Sequence, residues 1–333
     1  MRLTPQQIRS IATGILDMKE QDGSVRLLRI TDAQRAVYPE SNVGWRRART
    51  TAGITLDFRT DSQTLTLACS DICLNPNYHC AFDVLVDGKF YTSFSMAITK
   101  TVDEPTLASG FRHTFRLPEG DKRITLYFPL YTMQIDAVEL DDDASLSPCH
   151  RSRKWVVFGD SISEGREPDH PCNSYVCRLA RMLDAEVYNQ AISGEIFRSQ
   201  KIVPGTYPQC DFVSVAYGTN DFRKQEYDLL IPEVSSFFRQ VTEAFPNVPI
   251  FYLLPLWRKD HNVVTRSRTL TEVRTLLRQE AEKYPQIHVI DCWDFIPHEE
   301  QYFFDQRLHP NDAGFSFYAE ALYPEFIKHL PQK

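Results

Sequence analysis

From Trp155 onward the chain alternates short apolar runs with segments of helical period. The runs are Trp155–Phe158, Val187–Ile192, Phe212–Tyr217, Ile250–Leu256 and Ile287–Cys292. Between them, Val176, Leu179, Ala180 and Leu183 share one helical face, and so do Val234, Phe237, Phe238, Val241 and Phe245. Leu270, Val273, Leu276, Leu277 and Ala281 repeat the pattern, and Phe315, Tyr318, Ala319 and Leu322 close it after Gly314. Uniformly apolar strands joined by helices pair in parallel and are covered on both faces. An α/β fold with a parallel sheet is therefore expected. In such sheets ligands bind beyond the carboxyl ends of the strands, so the residues just after each run are the ones that matter.

The first half has a different texture. Residues 4–17 carry a short amphipathic helical pattern on Ile8, Ile11, Ile15 and Leu16, with Pro5 in its first turn. Beyond Gly23 the apolar residues alternate, as in Val25–Ile30, Ile54–Phe58 and Thr64–Leu67. Asp61-Ser62 between the last two predicts a hairpin, and Asp87-Gly88 between Phe82–Val86 and Phe90-Tyr91 predicts another. Further strands are expected at Arg112–Leu117, Ile124–Pro129 and Met133–Leu140. Many short strands separated by turns predict a β-sandwich of jelly-roll type. Glu139–Asp143 and the basic, Pro148-containing stretch after it read as a linker, which gives two domains, 1–148 and 149–333. A chain of 333 residues with 42% hydrophobic content can fill two cores.

A formal net charge of −7 argues against a nucleic-acid partner or an anionic membrane surface. The N-terminal segment has no long apolar core and no small-residue cleavage site, so a cytoplasmic location with reduced cysteines is expected. Cys69, Cys73, His79 and Cys80 lie close in sequence, but their spacing matches no common zinc knuckle, and no metal is expected.

The chemistry-bearing residues stand after the strands. Gly159-Asp160-Ser161 follows the first, Ser193-Gly194-Glu195 the second and Gly218-Thr219-Asn220-Asp221 the third. Past the fifth lies Phe304-Asp305-Gln306-Arg307-Leu308-His309-Pro310-Asn311-Asp312. Acyl transfer needs these types. A serine hydroxyl is a weak nucleophile until a neighbouring base takes its proton, and histidine is the side chain suited to that near neutral pH. Ser161 is the candidate nucleophile and His309 the candidate base. A carboxylate on the far ring nitrogen would orient the imidazole; Asp305 is the first choice and Asp312 the second. The N–H of Ser161, the N–H of Gly194 and the Asn220 amide are suitable donors for an oxyanion. Read more blandly, Ser161 caps a helix and Asn220 makes an Asx turn. Asp160 is expected to brace its turn by hydrogen bonding. Trp257 and Arg258, after the fourth strand, share the rim, and Trp257 is a candidate substrate contact.

These four blocks, in this order, resemble those of the SGNH (GDSL-type) hydrolases, over roughly residues 153–325. The resemblance implies a flavodoxin-like sheet with helices on both faces and no cofactor. An N-terminal jelly roll ahead of such a domain looks like the arrangement in the carbohydrate O-acetyl esterases of this superfamily. Two departures stand out. The last block is usually Asp-x-x-His, and here one more residue separates Asp305 from His309; some relatives use a backbone carbonyl in place of the aspartate. Ala191 occupies a frequent glycine position in the second block. The resemblance implies a serine esterase for a small acylated substrate, an acetylated sugar above all. An O-acyltransferase on the same site, or a carbohydrate-binding protein without turnover, are the alternatives.

Overall fold

The computed structural model describes residues 1–39, 43–74, 81–96 and 106–331. His79 and Cys80 lie outside that range. Among the described residues no group of three or more His, Cys, Asp or Glu side chains is arranged to hold a metal ion. No described helix is long and apolar enough to cross a membrane.

The N-terminal half builds two antiparallel sheets over one apolar core. The first runs Ala12–Thr13, Thr55–Thr60, Lys122–Tyr127, Ala81–Val86, Lys89–Ser95, with Ser147–Pro148 added beside Thr55–Thr60. The second runs Asp17–Gln21, Ser24–Leu28, Thr132–Leu140, Thr64–Leu74, Thr106–Ala108, with Phe111–Arg116 also on Thr64–Leu74. Period-two alternation sends Leu56, Phe58, Val84, Ile124 and Leu126 of one sheet against Val25, Leu65, Leu67 and Ile135 of the other. The Asp87-Gly88 hairpin forms as expected: both residues have positive φ, at 48° and 80°, which matches the twist of the flanking strands.

Two expectations need correcting. Ile54–Phe58 and Thr64–Leu67 do not form a hairpin. Thr55–Thr60 pairs with Lys122–Tyr127, while Thr64–Leu74 pairs with Thr132–Leu140 and Phe111–Arg116 in the opposite sheet. Alternation sets the face a residue turns inward, not the strand it pairs with. The corner between the sheets is held by side chains: the Gln63 N–H donates to Asp141 Oδ2 at 2.6 Å and the Ser145 N–H to Asp61 Oδ1 at 2.8 Å. The first helix is also shorter than its pattern. It spans Pro5–Ile11 behind a Thr4–Gln7 capping box, and the chain then turns into strand pairing at Ala12 and Thr13.

The C-terminal half is a five-stranded parallel sheet. Its strands in chain order are Arg153–Gly159, Ala185–Asn189, Phe212–Ala216, Ile250–Leu253 and Ile287–Ile290, arranged 2-1-3-4-5. Trp155, Val157, Phe212 and Phe251 face the helices Tyr175–Met182 and Asp312–Ile327. Val156, Phe158, Val213 and Tyr252 face Tyr227–Ala244 and Leu270–Ala281 on the other side. Burial on both faces explains why these strands read as unbroken apolar runs. The order reverses direction between the first and third strands, and in sheets of this kind ligands bind beyond the carboxyl ends at that point.

Candidate active site

The first strand ends at Gly159, and Asp160 and Ser161 follow at the point where the strand order reverses. Asp160, not Ser161, caps the short helix Ser161–Glu164: its Oδ1 accepts from the Ile162 N–H at 3.0 Å. Ser161 is thereby free of the capping role. Its Oγ lies 3.0 Å from His309 Nε2, and the side chain is almost fully buried.

His309 is held from its other side. Nδ1 lies 2.9 Å from Asp305 Oδ2. A carboxylate facing Nδ1 places the ring proton there and leaves Nε2 as the acceptor for the Ser161 hydroxyl. The extra residue between Asp305 and His309 is absorbed by a tight turn with Gln306 at φ 55°. Asp305 Oδ1 accepts from the N–H groups of Arg307, Leu308 and His309 at 3.1, 2.7 and 3.0 Å, which frees Oδ2 for the ring. Burial alone would raise the Asp305 carboxyl. The His309 ring and those N–H donors outweigh it and hold the group well below the usual carboxylate range. Asp312, the second choice, is committed elsewhere: it accepts from the Asp169 N–H at 2.7 Å and from Asn173 Nδ2 at 2.6 Å.

The second and third blocks converge on the same turn. The Ile192 N–H donates to the Gly159 carbonyl at 3.0 Å, and Asn220 Nδ2 donates to Asp160 Oδ2 at 3.2 Å. Asn220 starts the helix Asp221–Lys224 without a side-chain cap, so its amide is aimed by Asp160 and one N–H is left over. Gly194 has φ 81°, a conformation that side-chain-bearing residues rarely adopt. Burial pushes the Asp160 carboxyl up to about 6, against the pull of the Ile162 N–H and the nearby His309, Lys224 and Arg258. Asp221 is pushed up to about 7, again chiefly by burial.

Trp257 is half-buried and placed by packing. Its ring stacks on His298 at 4.9 Å and leans on Phe303 at 5.4 Å. Arg258 is fully buried, donating to the Thr219 carbonyl and Oγ1 at 3.1 Å and pairing with Asp260.

Residues 157–316, which contain all four blocks, match the GDSL-like lipase/acylhydrolase family. The chain carries a GDSL-like lipase/acylhydrolase domain. No curated protein sequence matches the chain. Among solved structures, the salicylyl-acyltransferase SsfX3 from a tetracycline biosynthetic pathway is similar with a TM-score of 0.82 at 20% identity, covering 98% of this chain and 97% of that one. A family two carbohydrate esterase from Cellvibrio japonicus gives 0.64 at 16% identity, covering 98% and 97%. One from Clostridium thermocellum, in complex with cellohexaose, gives 0.61 at 16% identity, covering 83% and 92%. At these identities the likeness is one of fold.

The N-terminal half reaches into the acylhydrolase domain through residues that carry no motif. Arg29 is fully buried and donates to the Asn189 and Ala191 carbonyls at 2.9 and 2.7 Å, flanking the second block. It also contacts Glu164, which is itself buried and accepts from the Ser193 N–H at 2.8 Å. Glu164 lies only three residues after Ser161, so a carboxylate within the first block was the available signal. Nothing local marks Arg29, whose partners in the acylhydrolase domain are more than a hundred residues away.

Proposed function

We propose that this chain is a serine esterase acting on small O-acyl esters, with acetyl esters of carbohydrates as the substrate class. The Asp305–His309–Ser161 chain of contacts, 2.9 and 3.0 Å long, carries this reading. Ser161 Oγ attacks the ester carbonyl while His309 Nε2 takes the hydroxyl proton. The Ser161 N–H, the Gly194 N–H and the spare Asn220 N–H receive the developing oxyanion. His309 returns the proton to the departing alcohol, leaving an acyl-serine that water hydrolyses by the same route in reverse. Asp305 keeps the ring oriented and its positive form stabilised. The family of residues 157–316 supports the hydrolase chemistry, and the carbohydrate esterases among the similar structures support the sugar. In this reading residues 1–148 form a β-sandwich domain and 149–333 the catalytic one.

Incubation with p-nitrophenyl acetate tests the core of the proposal. The protein is expected to release p-nitrophenol and Ser161→Ala to fall to background; equal rates from both would remove it. A panel of acetylated mono- and oligosaccharides then reads the alcohol. Acyl transfer to a bound acceptor is the second reading, favoured by full-length similarity to an acyltransferase. Product analysis with an added sugar acceptor separates the two.

A further inference from the structure

Two cations from different parts of the fold converge on Gly194. A Cβ built on that glycine would sit 3.3 Å from Arg47 Nη1 and 3.3 Å from Lys224 Nζ. Arg47 ends the short N-terminal helix Val43–Arg47, while Lys224 ends the helix that Asn220 begins. Both donate to the same loop, Arg47 Nη1 to the Ser193 carbonyl and Lys224 Nζ to the Gly194 carbonyl, each at 2.5 Å.

Like charges this close cost free energy unless something negative lies between or beside them. Glu195, Asp160 and Asp221 act on the Lys224 ammonium from farther off, but no described carboxylate lies within ion-pair distance of either cation. Among the described residues neither cation takes part in an ion pair, although this is an acidic protein. Glu195, next in sequence to Gly194, is buried against Lys201 at 2.7 Å and Arg198 at 3.2 Å. Asp160 is engaged by Ile162 and Asn220. Arg47 Nε is buried without a hydrogen-bond partner, and two of the three Lys224 ammonium donors have none among the described residues. Partial burial of the Lys224 ammonium draws it below its ordinary range against the opposing pull of Glu195, Asp160 and Asp221, and Arg47 adds to the lowering. The pair is also held in place. The Arg47 carbonyl accepts from the buried Arg29 at 2.9 Å and from the Thr50 N–H at 3.1 Å, so its backbone does not drift away from the loop.

We propose that Arg47 and Lys224 form an anion subsite beside the oxyanion donor Gly194, and that the preferred ester carries a carboxylate or similar anionic group within reach of its scissile carbonyl. The inference rests on the serine-esterase reading of the site and specifies its substrate class further. A planar guanidinium and a point-charge ammonium on two sides suit a carboxylate, with charge-assisted hydrogen bonds from both. The anion belongs either to the acyl part or to the alcohol part of the ester.

Matched ester pairs decide between these sources. The acyl pair is mono-4-nitrophenyl glutarate against its methyl ester. The alcohol pair is 3-acetoxybenzoate against methyl 3-acetoxybenzoate. In at least one pair kcat/KM is expected to favour the anionic member by about ten- to a hundredfold, the range for hydrogen bonds to charged groups. That preference should shrink toward unity in Arg47→Gln and Lys224→Met, and with rising salt. Lys224 is exposed, so its variant answers the question even where Arg47→Gln does not fold. Turnover of the neutral esters with no preference in either pair would overturn the subsite and leave the esterase reading standing. So would variants that slow both members of a pair by the same factor, which is the mark of a loop-positioning role. Absence of turnover with every ester, with Ser161 unlabelled by an organophosphonate, would remove both readings together.

Discussion

Arg29 Nη2 lies 3.0 Å from Glu164 Oε1, with both side chains sealed from solvent, and this contact joins the antiparallel half to the helix that begins at Ser161. Arg29 also holds the Thr50 carbonyl and Oγ1, and the Asn189 and Ala191 carbonyls. Glu164 holds the Ser193 N–H and, through Oε1, the Thr50 hydroxyl. Fully buried charges are tolerated only when each is neutralised and its hydrogen-bonding capacity filled, and this network meets both conditions.

Breaking the pair from one side should therefore be costly. Arg29→Met is expected to destabilise the protein by about 3–5 kcal/mol, because it leaves an uncompensated carboxylate in the interior. Chemical denaturation at pH 7.5 measures this. A loss below about 1 kcal/mol, the level of a surface pair, would show that the network contributes little.

The assignment of the orienting carboxylate predicts unequal effects at two nearby aspartates. Asp305→Asn should lower kcat by about 10³- to 10⁴-fold, as expected when the ring tautomer is no longer enforced. Asp312→Ala should change kcat by only a small factor, because Asp312 binds Asp169 and Asn173 instead of the ring. Steady-state rates on p-nitrophenyl acetate compare them, and a larger loss at Asp312 would reverse the assignment.

Asp160 couples stability to pH with a defined sign. Its folded-state pKa of about 6 lies above the ordinary 3.8, so the folded chain holds that proton more tightly than the unfolded one. The ionised carboxylate therefore costs stability. The cost is absent below the unfolded value, grows between about pH 4 and 6, and is complete above that. Asp160→Asn should gain in stability relative to the parent on going from pH 4 to pH 8, by up to about 3 kcal/mol, since each tenfold difference in proton affinity is worth about 1.4 kcal/mol. The same variant should lose about ten- to a hundredfold in kcat, less than outright removal of an oxyanion donor, because the Asn220 amide is no longer aimed by a carboxylate. Urea titrations at both pH values read the first effect, and a gain that is larger at pH 4 would contradict it.

The proposed oxyanion donors can be tested at two positions with different physics. If Asn220 serves as proposed, Asn220→Ala removes a donor and should cost about 10²–10³ in kcat with little change in KM. Gly194→Ala keeps the N–H but forces a side chain into φ 81° and against Arg47 and Lys224 at 3.3 Å. It should lower kcat and melting temperature together. A Gly194→Ala enzyme with parental activity would show that this loop does not serve the reaction.

The order of the blocks and the parallel sheet were legible in the residues alone, because periodicity is a local property and ligands gather where such strands end. Ser161, His309, Gly194 and Asn220 could be named from the segments after the apolar runs, and the Asp87-Gly88 turn from its two residues. Strand partners in the antiparallel half could not, since Ile54–Phe58 and Thr64–Leu67 satisfy the same alternation whether they pair together or face one another across a core. The choice of Asp305 over Asp312 needed the turn at Gln306, which brings one carboxylate to the ring while Asn173 claims the other. Arg29 and Glu164 stand 135 residues apart, and Arg47 and Lys224 meet only around a glycine loop from a third segment. Side chains that act across elements leave no spacing in the chain, because their distance is set by how the two halves pack and not by the residues between them.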